Sequence, residues 1–182
     1  FEGAGSCVSP PTPGTSTVTP NSGVCPGATI TLNLTGASDG PGQTYQWLSC
    51  ATIGGTYTNE GSSQTSPILV TTATSTLYYK CDVTCSGNTQ TSTPVLLNVN
   101  PVFPGGTYTI NSALPTGGSN FQTFNDAKNA VNCGISGPVV FNVDPASGPY
   151  NEQVEFGAIS GTSAVNTITI NGNGNKITFN AT

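Results

Sequence analysis

The chain has 182 residues and a net charge of −5, with 3 basic and 8 acidic side chains. Charged residues make up 6% of it, against about 25% in an ordinary soluble domain. No basic cluster exists to hold a phosphate backbone or an anionic bilayer, so neither nucleic acid nor a membrane surface is a partner. No apolar run approaches the roughly 18 residues of a membrane-spanning helix. His is absent, which removes His-ligated metal sites, Ser-His-Asp triads and Cys-His nucleophile pairs. Met is absent too, and the chain reads as a processed product or an internal piece of a longer one. Val, Ile, Tyr and Phe alternate with Thr and Asn between Gly- and Pro-rich turns, the pattern of half-buried strands. The fold class is mostly β.

Residues 1–20 carry Pro10, Pro11, Pro13 and Pro20 among Ser, Thr and Gly. They read as a semi-extended linker from a preceding domain. Residues 21–100 alternate as strands. Ile30, Leu32 and Leu34 fall on one face of Ala28–Thr35, Tyr45 and Trp47 on one face of Thr44–Leu48. Pro67–Val70 is short and apolar, Thr76–Cys85 aligns Tyr79, Cys81, Val83 and Cys85, and Val95–Val99 closes the module. Turn signals at residues 38–42, 54–55 and 86–88 separate them at the spacing of a β-sandwich. Two prolines and two glycines in 100–106 mark a boundary.

The lone Trp47 and the Tyr79-x-Cys81 pattern resemble the immunoglobulin fold, in which a Tyr two residues before a Cys forms the tyrosine corner. The usual second-strand Cys is missing, with Leu32 or Leu34 in its place. Val24-Cys25-Pro26-Gly27, Tyr45-Gln46-Trp47 and the segment Tyr78–Gly87 resemble Ig-like repeats of large bacterial surface proteins exported by the type IX pathway. That resemblance implies a Cys25–Cys85 disulfide and, secondarily, Cys50–Cys81, leaving Cys7 and Cys133 open. Disulfides imply an extracellular or cell-surface location.

Beyond the boundary, Gly106–Asn111 reads as a strand. Ser119-Asn-Phe-Gln122 fits a capping box ahead of a helix over Phe121–Val131, with Gly134 as its stop. Short strands follow at Val139–Val143, Gln153–Phe156, Asn166–Ile170 and Lys176–Phe179, separated by Gly/Asn corners. A helix ahead of such strands resembles the capped N-terminal coils of a right-handed parallel β-helix of the pectate-lyase-like kind, over residues 105–182. The resemblance implies that Phe121, Phe124 and Val131 cover Val139 and Phe141. It also implies that the end near Ile168–Phe179 presents open strand edges, with further coils or a partner chain to cover them.

Little chemistry is on offer. Asp144 with Glu152 or Glu155 is the sole carboxylate set for glycoside hydrolysis, and Lys128 and Lys176 the sole bases beside it. These carboxylates read as surface groups, and no catalytic, metal or cofactor residue is assigned. Trp47 and Tyr45 read as core. Tyr57, Tyr108 and Tyr150 are candidate glycan contacts. The sequence thus points to a non-catalytic structural or adhesive segment of a large secreted or surface protein. Its expected partners are other domains of the same chain, surface polysaccharide or the secretion machinery. The alternative is the non-catalytic front of a β-helix polysaccharide lyase or glycoside hydrolase.

Overall fold

A computed structural model describes residues 6–179, so the outer ends of the first and last predicted segments lie outside the described residues. The chain forms two compact units, Phe1–Asn100 and Pro101–Thr182.

The first unit contains β1 (Thr15–Thr19), β2 (Thr29–Thr35), β3 (Thr44–Cys50), β4 (Thr58–Gln64), β5 (Leu69–Thr72), β6 (Leu77–Cys85), β7 (Asn88–Thr91) and β8 (Val95–Leu97). One antiparallel sheet runs β1-β2-β5. The other runs β4-β3-β6-β7, with β8 also paired to β6. The alternation read from the sequence is the alternation of burial. Ile30, Leu32, Trp47, Tyr79, Cys81 and Val83 are all buried and form one apolar cluster between the sheets. The unit is an Ig-like β-sandwich. Trp47 keeps its indole N–H satisfied inside the core by donating to the Pro67 carbonyl at 3.0 Å.

Three elements depart from expectation. The supposed linker contributes β1, with Val18 buried against Leu32 across the pair. Thr12 donates to the Ser38 hydroxyl at 3.0 Å and receives the Ser38 amide at 2.9 Å, so the Pro-rich segment is docked rather than free. β4 and β7 carry no alternation signal, because TNEGSSQ and NTQT have no apolar face. They are edge strands, where polar sequence discourages pairing with other chains. The β6–β7 hairpin turns on Ser86 and Gly87, both at positive φ (49° and 80°). That is the two-residue geometry whose twist matches antiparallel strands.

The second unit contains β9 (Gly106–Ile110), β10 (Asn120–Phe121), α1 (Phe124–Ala130), β11 (Val139–Val143), β12 (Tyr150–Asn151), β13 (Ile168–Asn171) and β14 (Ile177–Thr178). Every strand pair here is parallel: the order β10-β9-β11-β13 forms one ladder and β12-β14 a second. Val139 lies opposite Gly106 on one side and Ile168 on the other, and Tyr150 lies opposite Ile177. The repeat is thus roughly 30 residues, inside the range of stacked solenoid coils. This parallel stacking is compatible with the start of a β-helix. Tyr108 and Phe141 occupy one inward column, Ile110 and Val143 the next, with Val139 completing the central rung. Gly134 lies at φ +97°, where an added Cβ would stand 2.7 Å from the Ser160 carbonyl oxygen. Only glycine lets the chain pass there.

The helix is shorter than expected and starts later. Phe121 belongs to β10, paired with Ile110. The N-cap is Thr123, whose Oγ1 accepts the Asp126 amide at 3.0 Å. Ser119 and Gln122 form no capping box, and Gln122 instead donates to the Ser112 carbonyl. Phe124, Ala127 and Val131 are buried in one cluster with Val139 and Phe141. At the opposite side Ile170, Ile177 and Phe179 are 39%, 46% and 55% exposed. There Phe156, Ile159, Ile168 and Ile170 line an apolar hollow of about 220 Å³. Gln153–Phe156 is not a strand: the paired segment is Tyr150–Asn151, immediately before it.

Candidate functional site

Glu152, the centre of the carboxylate set, is engaged by the fold. Its Oε1 accepts the Phe124 amide at 2.9 Å, and its Oε2 accepts the Asn125 amide at 2.9 Å and the Asn125 side-chain amide at 2.7 Å. The first-turn N–H groups of a helix have no intrahelical acceptor, and a carboxylate there is favoured by the hydrogen bonds and by the helix dipole. A residue 28 positions along the chain from Phe124 therefore closes the first turn of α1. Asp144 is likewise local, its Oδ1 accepting the Ala146 amide at 3.1 Å in an Asx-type turn. Glu155 is exposed. No acid–base pair across a cleft is assembled by these groups. Replacing Glu152 with Ala should lower the second unit's stability by about 1–2 kcal/mol, the usual cost of losing an N-terminal cap. Faster exchange of the Phe124 and Asn125 amides would report it.

The glycan-contact tyrosines divide differently from expectation. Tyr150 is 4% exposed, its ring edge-on to Phe124 at 4.9 Å. Its hydroxyl is shared with Ser147 at 2.7 Å and donates to the Ile110 carbonyl at 3.3 Å. It packs as a core residue. Tyr108 is half-buried, 4.6 Å from Phe103 between ring centroids and 5.9 Å from Phe141, and its hydroxyl donates to the Pro104 carbonyl. Inward alternation assigns it to the aromatic stack.

The cysteine pairing also differs. Cys85 is joined to Cys7, at a Cα–Cα distance of 5.9 Å, and Cys25 and Cys133 are also disulfide-bonded. The Cys25–Cys85 pairing fails on geometry. Val24 bridges Val99, and Val99 bonds Thr76 at the start of β6. Cys85 closes the same nine-residue strand, about 25–30 Å away at the rise of an extended chain. Cys50 and Cys81 are free. On β3 and β6 Cys81 faces Trp47 while Cys50 faces Tyr78, so the two thiols project to opposite faces of the sheet.

Within the sandwich, burial pushes the Cys81 thiol up to about 12, helped by Asp82, and pushes Tyr79 up to about 12, helped by Glu60. Below about pH 8 both groups are neutral folded or unfolded. Above it the unfolded chain ionises first, so the stability these groups contribute is lost as pH rises from about 9 towards 12. Cys81 should accordingly resist thiol reagents in the native protein at pH 8–9 and react on unfolding, whereas half-buried Cys50 reacts first. Mass spectrometry of the labelled peptides checks the order. The hydroxyl-to-backbone bond expected of Tyr79 is made by Tyr45, which donates to the Ser38 carbonyl at 3.1 Å.

The family model described as Ig-like domain, CHU_C associated, matches residues 11–101, half of the chain. The chain belongs to this family. The match starts before β1 and ends just past β8, so the Ig-like domain takes in the docked Pro-rich segment. No curated protein and no solved structure matches the chain. Where many sandwiches place a disulfide between the sheets, this Ig-like domain packs Cys81 as a thiol beside Trp47, and the Cys7–Cys85 bond joins the end of β6 to the segment ahead of β1.

Proposed function

We propose that the chain is a non-catalytic structural segment of a large bacterial protein exported by the type IX pathway to the cell surface or the medium. In this reading the Ig-like domain is a spacer and the parallel-stacked unit extends an adhesive stalk. The observation that carries it is the family match over the whole sandwich. Two others support it. The chain has 2 disulfide-linked cysteines in addition to the Cys7–Cys85 pair, which suits an oxidising compartment. The best-placed carboxylate, Glu152, is consumed as a helix cap.

Antibodies raised against the purified chain test the proposal on intact cells of the source bacterium. Surface or medium labelling that vanishes when type IX export is disabled is the expected result. Signal seen only after permeabilisation would overturn it.

A further inference from the structure

The parallel ladder of the second unit ends on an unprotected strand. Among the described residues β13 pairs with β11 on one side and has no strand on the other. Along a strand in a parallel ladder, the N–H and C=O of one residue face one neighbour and those of the next residue face the other. The Thr167 carbonyl accepts the Val139 amide at 2.8 Å, so Thr167 and Thr169 are turned to β11. The amides and carbonyls of Ile168 and Ile170 are turned to the open edge. Such a row is a template for another strand, and natural edges are blunted by Lys, Pro or an inward charge. β13 is Ile-Thr-Ile-Asn, and residues 156–175 hold no charged side chain.

The turn after β13 shows what this edge accepts. Asn171 Nδ2 donates to the Asn142 Oδ1 at 2.7 Å, Asn173 Nδ2 to the Val143 carbonyl at 2.7 Å and Asn175 Nδ2 to the Asp144 carbonyl at 2.9 Å. Three side-chain amides of one turn are thus spent as donors on the turn before it. Carried forward in the Asn142–Asn171 register, the equivalent acceptors are the Asn171 Oδ1 and the Gly172 and Asn173 carbonyls. Gly172 already accepts the Asn175 backbone and side-chain amides. The Asn171 Oδ1 and the Asn173 carbonyl accept nothing among the described residues. The inward columns stop at the same place. Tyr108 and Phe141 lead to Ile170, Gly106 and Val139 to Ile168, and both isoleucines border the apolar hollow with Phe156 and Ile159.

We propose that the open edge of β13 and its turn dock an uncharged strand-and-turn segment of the pattern apolar-x-apolar-Asn-Gly-Asn. The segment adds parallel to β13 and in the register that β11 and β13 share. The proposal goes beyond the spacer reading and stands without it. Three observations select this occupant. The free backbone groups of Ile168 and Ile170 require an extended chain. The hollow beside them requires apolar residues at alternate positions, since a charge buried there would have no partner. The two open acceptors require amide donors, which asparagines of the docked turn supply as Asn171 and Asn175 do one turn earlier. A second copy of the chain fits less well: two β13 edges joined with their apolar faces on one side run antiparallel, whereas every pair in this ladder is parallel.

The test is an amide chemical-shift and hydrogen-exchange titration of the full 182-residue chain with a synthetic peptide of residues 166–175, acetylated and amidated at its ends. That peptide has the required pattern and stands for the docked segment. Shifts should centre on residues 168–173, and the Ile168 and Ile170 amides should gain protection. A scrambled peptide should do neither. The peptide carrying Asn171→Ala and Asn175→Ala should bind roughly tenfold more weakly, the scale of two net hydrogen bonds. In the chain, Ile170→Lys should abolish binding, with an otherwise unchanged spectrum as the check on folding. Absence of shifts, shifts centred elsewhere or an equal response to the scrambled peptide would each overturn the proposal. So would sedimentation showing that the chain alone dimerises and that Ile170→Lys makes it monomeric, which would assign the edge to a second copy.

Discussion

Replacing Cys7 and Cys85 together with Ala should cost the Ig-like domain about 4–5 kcal/mol. The bond closes a loop with a sequence separation of 78, and chain entropy alone assigns a figure of that size to such a loop. The closed loop spans most of the domain, from the docked segment ahead of β1 to the end of β6. Both sulfurs are buried, Cys85 fully and Cys7 to 7% exposure, so the substitution also removes packed atoms. A domain stability of about 5–15 kcal/mol is typical, which makes this one bond a third or more of the margin. Denaturant titration followed by Trp47 fluorescence reads the change directly, with Cys50→Ala as the control that should shift the midpoint little. A loss below about 1 kcal/mol would mean that the segment 7–14 is held by its hydrogen bonds alone. Those bonds include the Cys7 amide to the Pro41 carbonyl at 3.1 Å, the Thr12–Ser38 pair, Ser9 to the Cys85 carbonyl at 3.3 Å, and Asn88 to Ser9 at 2.8 Å.

Period-two alternation made the core of the first unit legible in the sequence. Every position it placed inward on β2, β3 and β6 is buried. Alternation is a signal only where one face is apolar, and for that reason β4 and β7 were invisible. The pairing of Cys7 stays open in the sequence for a related reason. The residue sits in a run whose prolines announce a linker, and nothing local says that the run lies against Gly40 and Pro41. The contact is visible only in three dimensions, where an added Cβ on Gly40 would stand 2.9 Å from the Cys7 Cα.

In the second unit the apolar helix face and the strand Val139–Val143 were legible, while the helix start was misplaced by competition between two signals. Ser119-x-x-Gln122 and Thr123-x-x-Asp126 both resemble a cap. The pairing of Phe121 with Ile110 on β9 decides between them, a non-local fact absent from the local pattern. Glu152 shows the same limit more sharply. As a sequence position it is an acid in a Gly- and Asn-flanked segment; its role exists only because parallel stacking brings the turn after β12 to the first turn of α1. Helix caps are usually supplied from the residues just ahead of the helix, so no local motif announces one delivered from a later segment.

Phe141→Ala should unfold the second unit's inner column at a cost of about 3–5 kcal/mol, the range for emptying a buried aromatic site. Phe141 is fully buried, and its ring lies 5.6 Å from Phe121 edge-on, 5.9 Å from Tyr108 and 6.4 Å from Phe103 between centroids. It is the hub through which β10, β9 and the turn at Phe103 share one packing surface. The neighbouring rung cannot close the void, because Ile170, its partner on β13, is already 39% exposed at the open side of the ladder. The cavity therefore faces a side with little covering structure, and the loss should fall near the top of the range. Phe141→Leu, which keeps most of the volume, should cost less than half as much. Native-state hydrogen exchange of β9 and β11 is the suitable measurement, since it reads this ladder apart from the sandwich. Protection of Thr109 and Asn142 that survives Phe141→Ala unchanged would show that the ladder's backbone hydrogen bonds, rather than its aromatic column, hold the strands in register.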